Sequence, residues 1–187
     1  MLKALARVAL ILSVTIGPAM AGPPDHRLTP QEHDGDHAAK AGWWCVVHVS
    51  RGELGQALAD CNRAVADRPE SSESYSNRGS IYLWAGEFDG ALPDFDRAIE
   101  LKPEDAFLHF NRGLALGQLK RRPEAITAYT EAIRLDPSLA MAHHNRGCEY
   151  ELEGNREAAV QNYRKALSLD PSLSVSRSGI KRLTGDL

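Results

Sequence analysis

The stretch NRGSIYLWAGEFDGALPDFDRAIELKPEDAFLHFNRG, residues 77–113, decides the fold, because its last three residues repeat its first three after 34 positions. The same triplet returns at Asn145, another 34 positions along. Further columns keep this spacing, namely Ala91, Ala125 and Ala159, then Ala98, Ala132 and Ala166, and finally Pro103, Pro137 and Pro171. An earlier repeat holds Ala57, Ala64 and Pro69 in the same columns. A fixed period of this length predicts stacked, equivalent helix pairs.

Each column has a physical role in such a pair. Helical spacing places Tyr75, Gly79 and Tyr82 on one face of a first helix and Ala91, Phe95 and Ala98 on the facing side of a second. Gly86 and Gly154 fall at the turns between helices, where glycine can adopt a positive φ. The third repeat has Lys120 at that turn, and Pro123 is expected in the first turn of its second helix. The column prolines are expected to end the second helices.

A period of 34 with these small, aromatic and proline columns resembles the tetratricopeptide repeat (TPR) family over residues 38–173. The resemblance implies an all-α fold, a right-handed superhelical solenoid of antiparallel helix pairs. We predict four repeats at 38–71, 72–105, 106–139 and 140–173, then a capping helix at 174–187 with Ile180 and Leu183 as its buried positions. The first repeat has Trp43, Trp44 and Cys45 in place of Asn-Arg-Gly, a departure typical of a leading cap.

The N-terminal segment predicts export. Basic Lys3 and Arg7 precede the apolar run Val8–Ile16, and the small-x-small pattern ends at Ala21. We predict a signal peptide at 1–21, cleaved after Ala21, and a periplasmic or secreted mature protein. The alternative is an uncleaved membrane anchor, although the apolar run is shorter than the roughly 20 residues that span a bilayer.

Residues 22–37 are polar, rich in proline and without apolar periodicity, so they predict a flexible leader. His33, Asp34, Asp36 and His37 are metal-ligand types, but nothing rigid arranges them. We therefore expect no metal site and no cofactor.

The charge balance disfavours nucleic acid as a partner. The chain has 22 basic and 25 acidic residues, a net charge of -3. Loss of Lys3 and Arg7 leaves 20 against 25, or -5. Phosphate binding needs clustered Lys and Arg, which this balance does not indicate.

The TPR resemblance implies that a partner peptide or helix binds in a concave groove lined by the first helices. The candidate partner-binding residues are Asn77, Trp84, Phe107, Phe110, Asn111, Leu114, Met141, His144 and Asn145. Two alternatives stay open: the two phenylalanines and Met141 could pack between repeats, and the asparagines could bond to a neighbouring helix. Some TPR domains grip a terminal carboxylate with basic residues in these columns. That clamp is absent here, because the positions hold Glu73, Ser76, Phe107, Phe110 and Met141.

An enzymatic function is not expected. The strongest nucleophile candidate is Cys148, with His144 four residues before it on one helical face and His143 adjacent. Neither a third orienting group nor an oxyanion-hole loop accompanies this pair. We predict an exported adaptor that holds a peptide segment or helix of another protein. The alternative is an assembly or stability factor within an envelope complex, acting through its convex face.

Cys45 and Cys61 are predicted to face each other within the first helix pair, since both lie at similar distances from a turn near Gly52. Export would place them where disulfides persist, so we predict a bridge that closes this repeat. The alternative is two buried free thiols. Cys148, in a later repeat, is expected to stay unpaired.

Overall fold

The computed structural model describes His48 and residues 53–185, and these residues form helices without a strand. The predicted all-α class is confirmed. The eight helices are α1 Leu54–Asp67, α2 Ser72–Ala85, α3 Phe88–Leu101, α4 Ala106–Gln118, α5 Arg122–Leu135, α6 Ala140–Leu152, α7 Arg156–Leu169 and α8 Ser174–Thr184. The predicted signal peptide, the leader and residues 38–52 of the first repeat, except His48, lie outside the described residues. The chain divides into two compact units, Met1–Leu101 and Lys102–Leu187.

The N-terminal unit contains the antiparallel pair α2 and α3, with α1 packed on α2. Gly79 on α2 gives room to Phe95 on α3, because a Cβ at Gly79 would lie 3.0 Å from the Phe95 ring. Ala57 and Cys61 of α1 form an apolar cluster with Ile81 of α2. The glycine and aromatic columns therefore meet as the sequence predicts.

In the C-terminal unit the same contact recurs in the pairs α4–α5 and α6–α7. A Cβ at Gly113 would lie 2.6 Å from the Tyr129 ring, and one at Gly147 would lie 3.0 Å from the Tyr163 ring. The final helix α8 covers the other side of Tyr163, where a Cβ at Gly179 would lie 2.6 Å from the ring. Tyr163 is thus held between α6 and α8.

The C-terminal helix is confirmed, but its buried face is broader than the sequence predicts. Ile180 is buried and Leu183 is half-buried, as expected. Ser176 and Gly179 are buried as well. Apolar periodicity marks only large residues, so it does not identify the small ones that a tightly packed helix also needs at its contact points.

The turns within the helix pairs need a left-handed residue. Gly86 and Gly154 both have a φ of 81°, as predicted. Lys120 takes the equivalent position with a φ of 61°, although it has a Cβ. Pro123 lies in the first turn of α5, where its missing N–H removes no helical bond.

The helices before the column prolines end two residues ahead of them, at Asp67, Leu101, Leu135 and Leu169. Three of those prolines have their carbonyls bonded by a side chain six residues later. The His109 ring donates to Pro103 at 2.9 Å, the His143 ring to Pro137 at 3.2 Å, and Arg177 to Pro171 at 3.0 Å. Imidazole and guanidinium groups therefore make the same hydrogen bond to a proline carbonyl in successive repeats.

Candidate functional site

The candidate residues of the N-terminal unit lie on α2. Asn77 and Trp84 are both half-buried. The indole Nε1 of Trp84 is itself buried and has no hydrogen-bond partner. A buried N–H without an acceptor costs free energy, so this donor is suited to bond with an incoming carbonyl.

In the C-terminal unit, five candidates are at least partly exposed on the first helices α4 and α6. We call this set the first-helix face; it comprises Phe107, Leu114, Met141, His144 and Asn145. Phe107 is 38% exposed, one of three large apolar residues in the described chain with such exposure, the others being Leu152 and Val175. The face is mainly apolar and carries no net charge when His144 is neutral.

Phe110 does not belong to this face, and the prediction that it lines an open groove is wrong. It is 1% exposed. Its ring packs against Tyr129 with centroids 5.9 Å apart and an interplanar angle of 51°. This tilted arrangement is typical of aromatic pairs in cores. The packing alternative therefore holds for Phe110, although Phe107, three residues earlier, is exposed.

The asparagine column is not uniform. Asn111 is 3% exposed, and its side-chain Oδ1 has no hydrogen-bond partner. Asn145, in the same column of the next repeat, is half-buried. An unsatisfied carbonyl oxygen at a buried position is costly, but Asn111, like Phe110, is buried and does not belong to the first-helix face.

A polar network surrounds His144. Its Nδ1 lies 2.8 Å from Ser176 Oγ on α8, and its Nε2 lies 3.5 Å from Cys148 Sγ. The Tyr163 hydroxyl donates to Glu151 at 2.7 Å, and its oxygen lies 3.3 Å from Cys148 Sγ. These contacts connect α6, α7 and α8.

The Cys148–His144 pair meets as predicted from their spacing, but its electrostatics do not activate the thiol. Burial raises the pKa of Cys148, and burial also lowers the pKa of His144. A nucleophilic cysteine needs the opposite, a thiolate favoured by a positive neighbour. The contact with the Tyr163 hydroxyl lowers the pKa of Cys148, but burial is the larger effect and the pKa stays raised. The arrangement is that of a half-buried structural thiol.

Arg78 and Arg146, the arginines of two of the Asn-Arg-Gly triplets, each join the second helices of consecutive repeats. Arg78 pairs with Asp94 on α3 at 2.7 Å and also donates to Asn62 on α1 at 2.9 Å. Arg146 donates to Asn162 on α7 at 2.9 Å and to Thr130 on α5 at 3.0 Å. Arg78 therefore has a structural role, with Asp94 as its acidic partner.

Glu149 on α6 is 7% exposed, a burial that its charge does not suggest from the sequence. One of its oxygens, Oε1, would lie 2.6 Å from a Cβ at Gly117, and the other, Oε2, has no hydrogen-bond partner. Burial raises the pKa of this carboxyl, although the charge of Arg122 opposes the shift. A charged residue in a helical pattern is normally expected to face solvent. The only sign of this contact in the sequence is Gly117, which has no side chain and so leaves room for the carboxylate.

Cys61 is fully buried and disulfide-bonded, whereas Cys148 is free. Cys45, the predicted partner of Cys61, lies outside the described residues, as do His33, Asp34, Asp36 and His37 of the leader. The pairing therefore stays a prediction. Within the described part of the chain, no three histidine, cysteine or acidic side chains are placed to hold a metal ion. None of the described helices is long and apolar enough to span a membrane.

The sequence model of the family described as "Tetratricopeptide repeat" matches residues 72–105, 106–139 and 140–173, more than half of the chain. The chain belongs to the tetratricopeptide repeat family. No curated protein sequence matches this TPR chain.

Solved structures share the fold. The "Crystal structure of MamA protein" is 19% identical, with a TM-score of 0.74 over 80% of this chain and 81% of that one. MamA from Desulfovibrio magneticus RS-1 is 20% identical, with a TM-score of 0.75 over 81% and 85%. The first TPR of Spaghetti (RPAP3), bound to the HSP90 peptide SRMEEVD, is 22% identical, with a TM-score of 0.60 over 61% and 90%. At these identities the similarity shows the fold alone.

Proposed function

We propose that this TPR protein is an exported adaptor that binds a peptide segment or a helix of a partner protein on its first-helix face. The observation that carries the proposal is the exposure of Phe107 on α4, together with the partial exposure of Leu114 on the same helix and of Met141 on α6. Solvent-exposed apolar clusters of this kind mark interaction sites. The family supports binding over catalysis, and the unactivated Cys148 agrees with that.

The composition of the face indicates the partner's chemistry. Phe107 and Met141 offer apolar contacts to hydrophobic anchors, while the half-buried side-chain amide of Asn145 can hydrogen-bond to the backbone of the ligand. The RPAP3 structure contains a bound HSP90 peptide on a similar fold. This chain lacks basic residues at the corresponding columns, so an apolar segment fits better than an acidic tail.

Export is part of the proposal and is supported by the order of basic, apolar and small residues up to Ala21. N-terminal sequencing of protein from the envelope or medium tests it. A mature start at Gly22 is the expected result, whereas intact Met1 in a membrane fraction would favour the anchor.

Pull-down from the native envelope fraction tests the binding face. The double variant Phe107→Glu/Met141→Glu should lose the partner while keeping its melting temperature, since both residues are partly exposed. The matched control, Thr127→Glu/Gln161→Glu, adds the same charge to exposed positions on the second helices α5 and α7. Partner loss in the control alone would instead favour the assembly-factor alternative, which uses the second helices.

Phe110→Ala provides an independent check of the corrected face. Because its ring is buried against Tyr129, truncation should cost about 3 to 5 kcal/mol of stability. Phe107→Ala should leave the unfolding transition nearly unchanged. Equal effects on stability would contradict the assignment of one residue to the core and the other to the surface.

A further inference from the structure

The C-terminal helix α8 is joined to α6 by two polar links between residues far apart in sequence. His144 Nδ1 lies 2.8 Å from Ser176 Oγ, which is completely buried. Arg182 donates to both carboxylate oxygens of Glu151, at 2.6 and 2.7 Å. The α6 partner in each link is a titratable side chain, so the docking of α8 depends on two protonation states.

Both α6 groups respond to acid in the same direction. Burial lowers the pKa of His144 from its ordinary 6.5, so docked α8 favours the neutral imidazole. The hydrogen bond from Arg182 lowers the pKa of Glu151 from its ordinary 4.5, so docked α8 favours the carboxylate. When α8 leaves, both groups return towards their ordinary values and bind protons more readily. Docking therefore weakens as the pH falls below about 6.5 and weakens further through 4.5.

The other ionisable groups of this cluster keep their protons below pH 7. Cys148 on α6 and Tyr163 on α7 contact His144 and Glu151, and burial raises the pKa of both the thiol and the phenol. Arg182 on α8 has its pKa raised by its bond to Glu151, so it stays charged. In this network His144 is the group that titrates on mild acidification, and Glu151 follows only below its ordinary pKa of 4.5.

The ionisable residues on the side of α6 that faces α5 and α4 respond to acid differently from His144 and Glu151. Arg122 and Tyr129 of α5 interact with Glu149, and Tyr129 also with Cys148. His109 of α4 interacts with Glu131. Burial raises the pKa of Glu149, so acid favours rather than opposes its buried position. Acid therefore acts with opposite signs on the two sides of α6.

We propose that the His144–Ser176 and Glu151–Arg182 contacts form an acid-sensitive latch that releases α8 from α6 and α7 between neutral pH and about pH 5. Release would uncover the apolar cluster that Ile180 forms with Ala159 and Tyr163. This switch goes beyond peptide binding and does not depend on the identity of the partner. It makes the end of the repeat array responsive to the acidity of the surroundings.

Hydrogen–deuterium exchange of the full chain at pH 7 and pH 5 tests the latch, with rates corrected for intrinsic exchange. Protection of α8 should fall at least about threefold, and up to about 25-fold if docked α8 excludes the imidazolium completely. Protection of α7 should stay constant. Equal α8 protection at both pH values would overturn the proposal, as would a parallel loss in α7.

Two neighbouring histidines provide a matched pair of variants. His144→Gln cannot titrate but keeps hydrogen-bonding capacity, so the α8 response to pH should flatten. Burial also lowers the pKa of His143, but the His143 ring bonds to the Pro137 carbonyl and not to α8. His143→Gln therefore removes a similar titrating group without touching the latch. In His143→Gln, the change in α8 protection between pH 7 and pH 5 should equal that of the native chain. If both variants lose this pH dependence to the same extent, the latch is refuted. If His144→Gln does not fold, Ser176→Ala should show reduced α8 protection at pH 7; native-like protection would overturn the proposal.

Discussion

The close approach of Gly113 to Tyr129 predicts that Gly113→Ala destabilises the protein. The added methyl carbon would lie 2.6 Å from Tyr129 Cε1 and 2.7 Å from Cδ1, nearly 1 Å inside ordinary carbon contact at about 3.5 Å. The ring is 2% exposed and lies against Phe110, so it cannot move without displacing a second buried ring. Overpacking of this kind costs typically about 1 to 3 kcal/mol.

Replacing a helical glycine by alanine also brings a gain of about 1 kcal/mol in helix propensity. The short contact indicates strain near the upper end of the overpacking range, so the expected net loss is about 1 to 2 kcal/mol. For a chain of this size, that corresponds to a melting temperature lower by about 2 to 8 °C, measured by circular dichroism.

Gly55→Ala on α1 is the matched control, because no atom lies within 4 Å of its added methyl group. Its melting temperature should equal or slightly exceed that of the native protein. The double variant Gly113→Ala/Tyr129→Leu should be less destabilised than the sum of its parts, because the smaller side chain relieves the clash. A Gly113→Ala protein that melts at or above the native temperature would refute the contact.

Three further perturbations have defined outcomes. Lys120→Gly should raise the free energy of unfolding by about 1 kcal/mol, because a φ of 61° is strained for a residue with a Cβ. The measurement is the midpoint of urea unfolding, which should rise. Glu149→Gln should raise the melting temperature more at pH 7 than at pH 4.5, since a raised folded-state pKa gives stability that is present below 4.5 and lost as the pH rises. Mass spectrometry of non-reduced peptides from exported protein should show Cys45 cross-linked to Cys61, while alkylation of all three thiols without reduction would exclude the bridge.

Contacts that recur in every repeat could be predicted from the sequence, whereas the burial of residues whose surroundings differ between repeats could not. The glycine and aromatic columns could be paired in advance because Gly79, Gly113 and Gly147 meet rings at the same register in each pair. Phe107 and Phe110 could not be separated, because positions three apart on a helix differ by only about 60° and the boundary of the buried face falls between them. Periodicity identifies a face but does not fix its edges.

Polar contacts across helices were harder to predict for a different reason. Ser176 and His144 are 32 residues apart, and their meeting depends on how α8 crosses α6. The 34-residue register does not specify that crossing, because α8 is not followed by a described second helix. Asn111 and Asn145 likewise share a column but differ in burial, since each is surrounded by different side chains.

The bonds to the proline carbonyls bear on how these repeats could be transplanted. The His143 ring bonds to Pro137, yet a cut at the 139/140 boundary of the matched repeats would place donor and acceptor on different segments. A chimera assembled from 34-residue blocks would therefore lose this bond unless the next block also carries a donor at its fourth position. His109 and Arg177 show that either imidazole or guanidinium suffices there. A graft that ends at residue 143 would carry both members of the bond into its new host.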